Sequence, residues 1–436
     1  MKAPPIVPQS PKDRFDVYRF FNGLSEEGKA GLDSRHMRTP LVKTFLLEHV
    51  AARSGRVPRS PTEILRELGA ETQPLDDEFH EVRVWEKRDG ESRPQRRTVG
   101  YVERYDERFF AYYTADAADG ARRLVERWVA RSPDLDCTWF TSQFLHALWN
   151  RDVSQRGDDR FGKLVFRHES VFDMPTDEVL AAENDDMEEP ADEDLDEDRP
   201  ELERRTVRSE IKDRIGPIRR VLARLQDTYM PLNSLYGLRI PSAVGHGSHD
   251  LYQEGRITNR ADTFEDHRNM VRYLYRTYKT ILERTEESAW FAFEQHDPSA
   301  STRMSYKGVP LIVDFKEPLS AATFDRWISL AFRKRNVFRL WGTPIRLGPT
   351  KVHVYGADRH LWQPINLEMT KSRLVAILPK GTCGNTFHRL VANVQRYVCP
   401  KVEVWLGATP FQELMESMGS TGADKDVNPT LNRRRV

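Results

Sequence analysis

At 436 residues the chain is too long for one ordinary core, which predicts two or three domains. An apolar share of 39% with 21 Phe, 14 Tyr and 9 Trp excludes wholesale disorder, and a charged share of 31% predicts a heavily solvated surface. The net charge of zero hides a division: Asp173–Glu203 holds 16 acidic residues and one basic residue, Arg199, which leaves 66 basic against 51 acidic residues elsewhere.

The first fifteen residues carry four prolines and no apolar h-region, so no secretory signal is expected there. No apolar run approaches the roughly 18 residues of a membrane helix. Three cysteines in no CxxC pair speak against a disulfide framework and a thiolate zinc site, and predict a reducing cytoplasmic setting.

In chain order, residues 1–172 predict a mixed α+β region with a winged-helix-like start. Phe15, Tyr18, Phe21 and Leu24 repeat at helical spacing. Leu41, Val42, Phe45, Leu46 and Val50 predict a second helix. A third is punctuated by Ser60, Pro61, Glu63 and Gly69 as N-cap, first helical residue, capping box and stop. Extended stretches near Phe79–Lys87 and Thr98–Tyr105 would form a hairpin. Helices near Ala121–Ala130 and Trp139–Trp149 and a strand at Lys163–Phe166 follow.

The acidic stretch 173–206 predicts a disordered linker between domains. A helical middle region is expected over 207–300. Val207, Ile211, Ile215, Ile218, Leu222 and Leu225 predict one long amphipathic helix kinked at Pro217, and a second helix starts at a Thr263 cap. Residues 301–412 alternate as β-α-β-β-β-β-α-β, close to a ferredoxin-like sandwich with an inserted hairpin. Residues 413–436 read as a flexible tail.

Four groups of residues carry candidate chemistry. The hairpin tip holds Lys87, Arg88, Arg93, Arg96 and Arg97, suited to phosphates. The strand KVHVY places Lys351, His353 and Tyr355 on one face, a combination that stacks unpaired bases and holds a backbone. Asp297, Asp314 and Lys316 resemble the PD-(D/E)xK nuclease pattern, which would hold a divalent metal. Cys383, Gly384, Asn385 and Arg389 resemble the Cys-x5-Arg phosphate loop of cysteine phosphatases, which implies a thiolate of depressed pKa at a helix N-terminus. His246, His249 and His267 with Asp250 are spaced too irregularly for a metal site and predict a mobile polar loop.

The residues thus point first to a cytoplasmic protein associated with DNA or RNA, regulatory or part of an assembly. The alternatives are a metal-dependent nuclease or other phosphoesterase, and a scaffold binding protein partners through its long helices.

Overall fold

The computed structural model describes residues 11–30, 41–49, 59–86, 93–153, 157–174, 206–245, 247–295, 304–333 and 336–417. They form a mixed α+β fold of two large antiparallel sheets and one two-stranded hairpin, with helices between and outside the large sheets.

The larger sheet contains β1 (Lys43–His49), β2 (Glu71–Pro74), β3 (Phe79–Glu86), β4 (Gln95–Arg104), β5 (Phe109–Thr114), β6 (Leu135–Cys137), β7 (Phe161–His168), β8 (Val207–Arg214), β9 (Leu235–Pro241), β10 (Ser248–Tyr252) and β11 (Arg256–Asn259). Its order is β2-β3-β4-β5-β1-β11-β10-β9-β7-β8, with β6 also paired to β1. The N-terminal helix α1 (Arg14–Ala30) packs Phe21 into the main core. Helices α2 (Pro61–Glu67) and α3 (Ala118–Arg131) cover the other face through Ile64, Leu65, Val125 and Trp128. The expected capping box at Ser60 and Glu63 is formed. Helix α4 (Ser142–Leu148) starts at a Thr141 cap.

Three expectations fail here. Lys43–His49 form β1 where a helix is expected, so the three-helix order of a winged helix is not built, and Val50 lies outside the described residues. Leu46 faces one core and Phe45 and Leu47 the other. A strand buried on both faces is apolar throughout and offers helical spacings by coincidence.

The predicted long helix from Val207 is instead β8 followed by α5 (Ile215–Thr228). Val207, Ile211 and Ile215 are four apart, a spacing that fits both the helical repeat and the two-residue repeat of a strand. Pro217 sits in the first turn of α5, where a missing N–H costs nothing, and no kink is needed.

Finally, β8 pairs with β7 from Phe161↔Arg214 to His168↔Val207. The acidic stretch 173–206 therefore connects neighbouring strands of one sheet, and 207–300 contributes four strands to the sheet begun before it. Residues 175–205 themselves lie outside the described residues.

Helix α6 (Phe264–Ala289), capped by Thr263 as expected, buries Val271, Leu274, Tyr278 and Leu282 and packs on β1 and β11. A small hairpin of β12 (Ala292–Gln295) and β13 (Met304–Lys307) precedes the second sheet. That sheet comprises β14 (Leu311–Phe315), β15 (Leu340–Gly348), β16 (Lys351–Asp358), β17 (Gln363–Thr370), β18 (Arg373–Ile377), β19 (Val402–Leu406) and β20 (Thr409–Pro410), ordered β15-β16-β17-β18-β14-β19-β20. Helix α7 (Ala321–Ala331) joins β14 to β15, and α8 (Asn385–Tyr397) joins β18 to β19. A last helix, α9 (Phe411–Glu416), precedes residues 418–436, which lie outside the described residues.

Helix α8 is buried along almost its whole length because it lies between the two sheets. Its Ala392 carbonyl accepts from Gln253 beside the large sheet, while Asn393 donates to Val337 at the start of the small one. Leu46, Leu164, Val313, Leu374 and Phe387 belong to one continuous apolar cluster. No described helix is long and apolar enough to cross a membrane.

A candidate metal centre in a buried charged junction

Where β1, β6 and the N-terminus of α8 meet, the fold buries charged side chains drawn from distant parts of the sequence. Glu48 lies on β1, on the same face as Leu46, and is fully buried. Its Oε1 accepts from Arg108 Nε at 2.5 Å, and the Arg108 fork also donates to both oxygens of Glu286 on α6, at 2.6 and 3.1 Å. Cys383 Sγ lies 3.1 Å from Glu48 Oε1 and 3.4 Å from Arg108 Nη2.

Alongside, the buried Arg389 guanidinium is paired with Asp136 and, at 2.5 Å, with Asp358. Arg339 reaches Asp136 at 3.2 Å. Asn385 donates to the Cys137 carbonyl at 2.9 Å and accepts from the Tyr278 hydroxyl.

Burial pushes the Glu48 carboxyl up to about 7, although Arg108 works against the rise. Burial likewise raises the Cys383 thiol well above its ordinary value, reinforced by the neighbouring Glu48 charge. It also lowers the His360 imidazole to about 4, so this ring is neutral near pH 7. For Asp136, burial acts upward but Arg389 and Arg339 prevail and hold the carboxyl below the usual range.

The backbone is distorted at the same place. Among the described residues, the non-glycine residues with positive φ are Arg339 (55°), Leu361 (62°) and Trp362 (51°). All three flank this junction. Such conformations cost about 1–3 kcal/mol each and persist where the surroundings over-determine them. Here the Leu361 N–H donates to Pro133 at 2.7 Å, and Arg339 donates to the Leu135 and Ser132 carbonyls. Gln363, just beyond the distortion, accepts from the Cys383 N–H at 2.6 Å.

These contacts overturn the phosphate-loop reading of Cys383, Gly384, Asn385 and Arg389. The Gly384 N–H donates to Glu286 at 2.9 Å, so the loop already holds a carboxylate of the protein. Arg389 is committed to two aspartates, and the thiol is raised rather than depressed.

Of the nuclease pattern, Asp297 lies outside the described residues; Asp314 on β14 is held by Arg373, and Lys316 is exposed nearby. In the large-sheet hairpin, Lys87 and Arg88 lie outside the described residues, Arg93 is exposed, and Arg96 pairs with Glu71. His246 also lies outside them, whereas His249 and His267 are buried and stack at 5.4 Å rather than lining a mobile loop.

On β16, Lys351, His353 and Tyr355 do share an exposed face. Lys351 and His353 both reach Glu368, each at 2.8 Å.

Residues 245–411 match the sequence model of a family described as MJECL33-like protein. The uncharacterized protein MJECL33 of Methanocaldococcus jannaschii is 25% identical over 147 residues, 34% of each chain. The chain thus spans about a third of the length of the curated relative it matches. No solved structure matches. The matched segment contains Glu286, Asp358, His360, Cys383 and Arg389, whereas Glu48, Arg108 and Asp136 come from before it.

Glu48, Arg108, Asp136 and His360 carry no local motif. The available signal was Glu48 itself, a charge directly after the apolar run Phe45–Leu47. Reading that run as a helix places Glu48 on a polar face and hides it.

Proposed function

We propose that the protein binds single-stranded nucleic acid on the open face of its second sheet. One observation carries this reading: Trp341 and Tyr355, 57% and 70% exposed, lie diagonally across the β15–β16 ladder on the side facing solvent. The opposite side is core, with Val352, Val354, Ile365 and Leu367 buried. Large aromatic rings at diagonal cross-strand positions offer a platform for successive bases, worth about 1–3 kcal/mol per base.

The strand order β19-β14-β18-β17, with α7 and α8 as connections, supports a ferredoxin-like sandwich lengthened by β15 and β16. On such a sandwich the open sheet face is a natural surface for unpaired bases.

The charges on this face qualify the mode of binding. Lys351 and His353 share Glu368, and Arg373 pairs with Asp314. Few cations are free to displace counterions, so affinity rests on stacking and its salt dependence is shallow.

The test is fluorescence anisotropy with labelled single-stranded DNA, RNA and duplex at two salt concentrations. Replacing Trp341 and Tyr355 together by Ala should weaken single-strand binding by about 10-fold or more, from the stacking energies above. Equal binding by the wild type and this double variant would sink the proposal. Binding lost instead on replacing Arg93, Arg96 and Arg97 would move the interface to the hairpin of β3 and β4.

A further inference from the structure

The buried junction contains donors that its own hydrogen bonds do not use. Glu48 Oε2 and His360 Nε2 make no hydrogen bond, although neither side chain is exposed. Leaving two such acceptors dry and unpaired costs on the order of 1–3 kcal/mol each. They face one another at 3.9 Å, too far for a hydrogen bond. With Cys383 Sγ they form a group whose ligand atoms all lie within 4.8 Å of one another.

The orientation of His360 is specific. Its Nδ1 lies 3.0 Å from the Pro133 carbonyl oxygen, which can only accept. The ring proton is therefore on Nδ1, and the Nε2 lone pair points at Glu48 and Cys383. A histidine that donates from one nitrogen to a carbonyl and offers the other is the arrangement found where imidazole binds a metal.

Charge favours the same conclusion. Glu48, Glu286, Asp136 and Asp358 bring four carboxylates to the junction, against the guanidiniums of Arg108, Arg339 and Arg389. A divalent cation that binds the Cys383 sulfur as thiolate brings this group to neutrality. The thiol proton, and any proton carried by Glu48, leaves to solvent as the metal–ligand bonds form.

We propose that Glu48, His360 and Cys383 form a zinc site that fastens the second sheet and α8 to strand β1 of the first. The donor set of one sulfur, one imidazole nitrogen and one carboxylate oxygen suits Zn2+, whereas Ca2+ and Mg2+ take oxygen ligands. Zinc–ligand bonds of about 2.0–2.3 Å in tetrahedral geometry separate donors by about 3.3–3.6 Å; here Cys383 Sγ lies 3.1 Å from Glu48 Oε1, His360 Nε2 lies 3.9 Å from Glu48 Oε2, and one donor atom from each residue falls within 4.8 Å of the other two. Three protein ligands leave the fourth position of the tetrahedron to a water, and the burial of all three keeps substrates away, so the ion would hold structure rather than perform chemistry. The three ligands come from β1, from the loop after β16 and from the turn before α8, so one ion closes two long loops of the chain.

The experiment uses the full chain, stripped with a chelator and titrated with Zn2+ alone against a chromophoric competitor, then with Co2+ as a spectroscopic probe. One equivalent should bind, the thermal midpoint should rise, and Co2+ should show sulfur-to-metal charge-transfer absorption with tetrahedral d–d bands. Cys383→Ala should abolish the charge-transfer band and weaken Zn2+ binding by about 100-fold or more, beyond what outer-shell changes give. A Cys137→Ala/Cys399→Ala variant should retain both. If Cys383→Ala does not fold, the wild-type Co2+ spectrum decides alone. No thiolate band in the wild type, or unchanged Zn2+ affinity in Cys383→Ala and His360→Ala, overturns the site.

Discussion

The junction around Arg389 and the open face around Tyr355 hold similar side chains in opposite surroundings. Both combine cations, carboxylates and large rings of the same chain. At the junction Arg389, Asp136 and Asp358 are withdrawn from water, whereas on the open face Lys351 and Glu368 are each about 40% exposed. Desolvation magnifies every Coulombic interaction and every missing partner. Exposure reduces both to the scale of thermal energy. Identical pairings are therefore a structural commitment in one region and nearly free to rearrange in the other. This is why the open face suits a transient ligand and the junction a permanent one.

The largest effect expected from this contrast follows from Arg389→Met. The variant leaves Asp136 and Asp358 buried with one guanidinium fewer, and breaking a buried pair costs about 3–5 kcal/mol. Lys351→Ala on the open face should cost under about 1 kcal/mol. Urea denaturation of both variants measures the difference. Similar losses in the two would show that burial does not separate the regions.

A second comparison uses pH. Burial lowers His49 to about 4 and His388 to about 3. In the unfolded chain these rings titrate near 6.5, so below that pH the unfolded state binds more protons. Each histidine thus contributes stability that is fully present above about pH 6.5 and is lost as pH falls toward the folded value. The slope is about 1.4 kcal/mol per pH unit per group, so each should remove about 2 kcal/mol between pH 6.5 and 5. Stability measured across this window should fall, and His388→Gln should flatten the fall by about one proton. A slope unchanged by that substitution would mean that the ring is already protonated in the folded protein.

The two regions also differed in how far the sequence disclosed them. The second sheet alternates strictly, with Val352 and Val354 inward and Lys351, His353 and Tyr355 outward, because one face is core and the other is water. Its strands and both connecting helices are therefore readable, as is the Thr263 cap of α6. Strand β1 has no such contrast, since both its faces are covered, and β8 carries a four-residue spacing that two periodicities share. The junction was less visible still. Arg389 and Cys383 stood out, but only for a loop chemistry that the structure denies them. Their real partners, Glu48, Arg108, Asp136 and His360, lie up to hundreds of residues away, and nothing local to any of them encodes the others. Trp341 has no local signal of its own, since only the pairing of β15 (Leu340–Gly348) with β16 sets it diagonally from Tyr355.

The smallest effect concerns the acidic stretch within 173–206, and it sharpens the comparison because charge competition can act only where charge is exposed. The stretch joins neighbouring strands, β7 and β8, with the exposed Arg208 next to its re-entry at Val207; Arg220 and Arg224 of α5 are exposed as well. Its 16 carboxylates form a polyanion held at high local concentration against a body with a basic surplus. Replacing Thr176–Glu203 by a neutral Gly/Ser segment of equal length keeps the reach and removes the charge. Stability should remain within about 0.5 kcal/mol, because a segment with 15 carboxylates and few large apolar residues has little to bury. Binding of single-stranded nucleic acid should tighten a few-fold at low salt, and the gain should vanish as the screening length contracts from about 30 Å at 0.01 M toward 8 Å at 0.15 M. Anisotropy titrations of both forms across that range measure it. Equal affinities throughout would leave the stretch as a connection between two strands and nothing more. A gain that survived at high salt would mean that it blocks the open face by bulk, not by charge.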